Sequence, residues 1–140
     1  MNNNEHKITD ANISLLKKLC LANGTSSDEK SVRDIILNEI KDYIDNYEID
    51  NLNNLIVYKK GKKHPKLKVM VSAHMDEVGF IITSVTDDGL LKFSTVGGIN
   101  PSVICAKHVN VGEKMIPGVI GIKPIHMLKA DEKNKTVPLD

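Results

Sequence analysis

From Ile8 to Ile44 the apolar residues of this chain recur three and four positions apart; from Tyr47 onward they come as short runs and alternations. Side chains share a face about every 3.6 residues in a helix and every two in a strand, so this change of period dictates helices first and strands afterwards. Ile8, Ala11, Leu15, Leu16 and Leu19 predict one helix face, ended by Asn23-Gly24. Ser26 and Glu29 have capping-box spacing, which predicts the start of a second helix. Val32, Ile35, Ile36, Ile40, Tyr43 and Ile44 give that helix a broad apolar face, and Lys30, Arg33, Asp34, Lys41 and Asp42 are expected on its solvated side. Tyr47-Glu48-Ile49-Asp50 and Leu55-Ile56-Val57-Tyr58 read as strands around the turn-rich Asn51-Leu52-Asn53-Asn54, and the basic segment from Lys59 to Pro65 as a solvated loop.

The next apolar run, Leu67-Lys68-Val69-Met70-Val71-Ser72-Ala73, is expected to be a short, largely buried strand. It leads into His74-Met75-Asp76. Residues i and i+2 of an extended backbone point to one side, so an imidazole and a carboxylate are delivered together at a strand end, where ligands of α/β folds usually sit. A neutral imidazole is the commonest protein metal ligand, and a carboxylate behind it can orient the ring. Spacing alone favours a strand-end histidine that bonds Asp76 and stabilises a turn. A catalytic zinc needs about three protein ligands, and His6, His64, His108 and His126 are scattered, with no ligand pair such as HExxH among them. Glu77 should turn to the opposite face. There is no P-loop, GxGxxG, GxSxG or CxxC.

Beyond Asp76 the chain turns β-rich. Val78 to Val85 and Leu90 to Thr95 are expected to pair through a tight turn at Asp88-Gly89. Gly97-Gly98-Ile99-Asn100-Pro101 reads as a wide turn, with positive φ as the reason for its glycines. Val103 to Ala106 and His108 to Val111 read as strand pieces, and Met115 to Ile122 as a strand whose Pro117 marks an edge or a bulge. The organisation is therefore α/β over 1–76 and antiparallel β over 77–140.

Apolar residues make up 41% of the chain but aromatic ones only 4%, so any core is aliphatic. A net charge of +1 gives no electrostatic reason to expect nucleic acid or an acidic membrane as partner. No run reaches the length of a membrane span. The first seven residues are polar, expected to fray and unlike a secretory signal. Cys20 and Cys105 read as reduced, partly buried thiols, with a disulfide between them the less favoured option; a cytosolic location is expected.

The stretch Val69-Met70-Val71-Ser72-Ala73-His74-Met75-Asp76-Glu77-Val78-Gly79-Phe80 closely resembles the signature of the tetrahedral aminopeptidase family, which includes glutamyl and deblocking aminopeptidases and members that carry the names endoglucanase or cellulase. Leu16 to Cys20, Val32-Arg33-Asp34, Asn54-Leu55-Ile56, Val96-Gly97-Gly98, and Ile116 to Gly121 with Lys123-Pro124 and His126 match further landmarks in the same order. The resemblance implies a cytosolic enzyme with two divalent metal ions, zinc or cobalt, which polarise a peptide carbonyl and activate a bridging water. It makes His74 a ligand of one metal and Asp76 the catalytic carboxylate that orients it. It makes 1–76 the N-terminal part of the metallopeptidase domain, and 77–140 an inserted, barrel-like dimerisation domain, incomplete at its C-terminal end. Family dimers assemble into tetrahedral dodecamers. The general base and the remaining ligands lie later in the longer family chains, so these 140 residues are expected to be an N-terminal fragment, inactive alone, that binds at most one metal weakly. The alternative, from another class, is a non-catalytic module for oligomerisation or partner binding. Asn53 stands where the family usually has glycine, and Asn23-Gly24-Thr25 replaces its proline-containing turn.

Overall fold

The computed structural model describes residues 7–63 and 67–121. The readings made for His6, His64, Pro65, His126 and the tail from Lys123 lie outside them. The chain divides into two units, Met1–Glu77 and Val78–Asp140.

The first unit opens with α1 (Asp10–Leu21). Its start is fixed by a pair the sequence reading missed: Thr9 Oγ1 accepts from the Asn12 N–H, and the Asn12 side chain accepts from the Thr9 N–H at 2.9 Å. No residue of α1 is buried; Ile13, Leu16 and Leu21 stand exposed. Cys20 is exposed rather than partly buried, because it shares that uncovered helix surface; both cysteines are free.

The second helix, α2 (Lys30–Ile40), continues as a 3-10 turn, Lys41–Tyr43. Two expectations fail here. Glu29 is the N-cap and makes no side-chain cap bond, so Ser26 and Glu29 do not form a capping box. Glu29 Oε1 instead accepts from the Ser27 N–H at 2.7 Å, and the Ser26 hydroxyl is committed elsewhere. Arg33 is only 8% exposed, not solvated. Its Nη1 donates to the Asn53 carbonyl at 3.0 Å, tying α2 to the turn ahead of the second strand. A long aliphatic stem makes such burial tolerable when the head finds a carbonyl.

β1 (Asn46–Ile49) and β2 (Leu55–Tyr58) form an antiparallel hairpin, with Asn46 opposite Tyr58 and Ile49 opposite Leu55. Asp50 organises the turn: its carboxylate accepts from the Leu52 and Asn54 N–H groups and the Asn54 amide, each at 2.9 Å. Asn53 takes φ 65°, the left-handed conformation that asparagine tolerates best after glycine.

The expected strand from Leu67 to Ala73 is absent: no part of the run is in a strand, and Val69, Met70 and Val71 are 89%, 89% and 91% exposed. A buried strand needs neighbours on both sides, and no described segment pairs with this one.

In the second unit, β3 (Gly79–Val85) pairs antiparallel with β4 (Leu91–Val96), with an irregularity between Ile82 and Ser84. Phe80 and Phe93, diagonal neighbours in this register, meet edge to face with centroids 4.8 Å apart. Gly89 closes the expected tight turn at φ 84°. Of Gly97 and Gly98 only the first has positive φ, 85°, and a Cβ there would lie 2.9 Å from Val78 Cγ1. Val103 to Ala106 is not a strand: Pro101–Val103 is a 3-10 turn nucleated by Asn100, whose side chain accepts from the Ser102 N–H. The proline and the Asn100 cap favour a turn over the extension that the β-branched residues suggested. β5 (His108–Val111) pairs with β6 (Ile116–Val119), which is shorter than expected, with Pro117 opposite Asn110 in a two-stranded sheet whose strands are all edges. Buried Ile104 and Ile120 mark this unit's core. The described strands thus form three two-stranded antiparallel sheets, β1-β2, β3-β4 and β5-β6.

Candidate functional site around His74 and Asp76

Although the strand before it is missing, the His-x-Asp pair meets as its spacing predicted. His74 Nδ1 lies 3.1 Å from Asp76 Oδ1 and 3.0 Å from the Asp76 backbone oxygen. The other carboxylate oxygen, Oδ2, accepts from the Ser26 hydroxyl at 2.6 Å. The Ser26 hydrogen bond, with support from His74, holds the Asp76 carboxyl below its ordinary range against a smaller opposing effect of burial. Asp76 therefore faces Nδ1 as an ionised, acceptor-only group, as does the carbonyl, so Nδ1 carries the hydrogen. The imidazole is 84% exposed, so the ring edge away from Asp76 is open to a ligand.

The segment that supports this pair comes from the loop before α2. Thr25 forms a parallel bridge with Glu77, whose N–H donates to the Gly24 carbonyl at 2.7 Å. The Gly24 N–H returns a bond to Glu77 Oε1 at 3.2 Å. Gly24 permits this approach because a Cβ there would lie 2.9 Å from Val32 Cγ2 and 3.0 Å from the Met75 carbonyl. Ser26 and Gly24 were missed as site residues; their partners are some fifty positions away, beyond any local pattern.

Donor chemistry tests the fit to metal. One imidazole nitrogen backed by a carboxylate is the right kind of ligand, but among the described residues no group of three or more His, Cys, Asp or Glu side chains could hold an ion. His108 lies in β5, in the second unit. The described residues form one imidazole–carboxylate corner and no complete metal site.

Comparison with known proteins bears on what that corner belongs to. The family model for M42 glutamyl aminopeptidase matches residues 53–140. The lysyl aminopeptidase of Pyrococcus furiosus is 34% identical over 131 residues, which is 90% of this chain and 36% of that protein. Among solved structures, the TET aminopeptidase of a marine-sediment Thaumarchaeota archaeon superposes with a TM-score of 0.82 at 33% identity, over 93% of this chain and 36% of that one. The TET1 peptidase of Pyrococcus horikoshii, described as able to assemble into a tetrahedron or a large octahedral shell, gives 0.73 at 40% identity, over 91% and 38%. The chain spans about a third of the length of the curated relatives it matches.

Proposed function

The chain belongs to the M42 glutamyl aminopeptidase family, and from that premise we propose that it forms the N-terminal part of a di-metal aminopeptidase that removes N-terminal residues from peptides. His74 is a ligand of one of the two divalent ions, zinc or cobalt, and Asp76 orients its ring. The observation that carries this reading is the pair itself: Nδ1 is engaged by Asp76, and Nε2 is left open. When bound, the metal pair would supply Lewis acidity and an activated water. This chain's own contribution is narrower. Asp76 fixes which imidazole nitrogen holds the hydrogen, and it strengthens the other as a donor.

Residues 77–140 serve as the inserted, barrel-like dimerisation domain, and the whole protein forms homo-oligomers in the cytosol. The relatives' recorded assemblies support the oligomer. Among the described residues no helix is long and apolar enough to cross a membrane. With one imidazole donor brought to this site among the described residues, residues 1–140 alone bind metal weakly and hydrolyse nothing. Two experiments test this. Reading the gene past codon 140 should show the frame continuing into further acidic and histidine ligands; an immediate stop would refute the reading as part of a longer enzyme. Assaying the 140-residue chain on an aminoacyl-anilide with added zinc or cobalt should give no turnover, and measurable turnover would refute its inactivity.

A further inference from the structure

His74, Asp76 and Ser26 form a relay of hydrogen bonds whose directions are set by chemistry. The imidazole Nδ1–H donates to Asp76 Oδ1, and the Ser26 hydroxyl donates to Oδ2. His74 and a hydrogen bond from Asp76's own backbone also reach the carboxylate, which at 43% exposure keeps freedom to turn about its side-chain torsions. The Ser26 donor on the second oxygen removes that freedom. Ser26 is itself anchored. Thr25 is bridged to Glu77, Gly24 and Glu77 exchange two hydrogen bonds, and Ser27 is held at φ 78° while its N–H donates to Glu29 Oε1. A serine with positive φ is costly and persists only where its surroundings hold it. The loop is thus built to hold the Ser26 hydroxyl against a carboxylate, and that same loop geometry displaced the helix cap its sequence predicted.

We propose that Ser26 is a positioning residue for His74: by holding the Asp76 carboxylate it keeps Nδ1 turned to Asp76 and so orients the imidazole with Nε2 outward. This rests on the reading of His74 as a metal ligand, since only a ligand needs one particular nitrogen kept free. The test uses the full chain with isotope-labelled histidine, and long-range proton–nitrogen correlation spectra of the neutral ring report which nitrogen carries the hydrogen. In the unsubstituted chain His74 is mainly Nδ1–H. Ser26→Ala raises the ratio of the Nε2–H to the Nδ1–H form, by at most about the fivefold that one net hydrogen bond carries, since the Asp76 carbonyl still accepts from Nδ1. Ser26→Thr, which keeps the hydroxyl, restores the original ratio. Asp76→Asn produces a larger change than Ser26→Ala. An unchanged ratio in Ser26→Ala overturns the proposal, and so does a Ser26→Thr spectrum that matches Ser26→Ala. Zinc added to the same samples separates the two ideas: a His74 Nε2 signal that zinc leaves unmoved refutes the ligand reading, while the Ser26 dependence of the tautomer still stands or falls by itself.

Discussion

Leu55–Tyr58 and the run from Leu67 to Ala73 are both short and aliphatic, yet the first is a half-buried strand and the second is exposed and unpaired. The difference lies in where each finds a partner. β2 pairs with β1 across a turn that Asp50 ties together, so its ladder closes at small loop-entropy cost. Among the described residues the second run has no such neighbour, and an apolar sequence without pairing stays uncovered. A β-propensity is thus an offer that only a neighbouring strand takes up.

The largest way to break this comparison is a proline. Asp50 donates to the Asn54 carbonyl, and alternation along an antiparallel pair puts the next bonded position at Glu48 and Ile56. Ile56→Pro should cost about 3 kcal/mol and abolish hydrogen-exchange protection in the hairpin. Val69→Pro should change the stability of this chain by less than about 0.5 kcal/mol in a urea titration; an equal loss from both would show that the second run is paired after all.

Next in size is Arg33→Ala. It removes the guanidinium bond to the Asn53 carbonyl from a buried position and should cost about 1–3 kcal/mol by the same titration. Gly24→Ala should cost a similar or smaller amount, about 1–2 kcal/mol, since Val32 and the Met75 carbonyl must give way. Its clearer mark is loss of exchange protection at the Glu77 N–H, which bonds to Gly24.

The smallest effect concerns pH. The Asn54 amide, then the Asn54 and Leu52 N–H groups, hold the Asp50 carboxyl below its ordinary range. A carboxyl lowered in the folded state stabilises the hairpin above the unfolded carboxylate range, about pH 4, and that contribution is lost as pH falls through the lowered folded value. Asp50→Asn should flatten the acid limb of hairpin stability followed by circular dichroism, and an unchanged limb would assign the acid sensitivity to other groups.

The same contrast explains what was legible in the sequence. Both helices and all three hairpins follow from local periodicity and turn residues such as Asn53 and Gly89. The His74–Asp76 contact followed from i, i+2 spacing. What failed depended on distant partners or on their absence. Ser26 has capping-box spacing, but Asp76 takes its hydroxyl. Arg33 looks like a surface charge until the Asn53 carbonyl comes within reach. The buried strand from Leu67 needed neighbours that the described residues do not contain, and at Val103 a proline-led turn overrode β-branched residues. The family resemblance came from the residues around the motif together with several separate stretches in the same order, and it does not depend on whether the strand forms.

His74 is proposed to present Nε2 as one ligand of a larger metal site. Zinc titration of the 140-residue chain, followed at the His74 ring nitrogens beside a His74→Ala control, tests it most directly. The account predicts weak binding of a single ion that moves the Nε2 signal and disappears in His74→Ala. Tight stoichiometric binding of two ions, or binding that leaves His74 untouched, would contradict it.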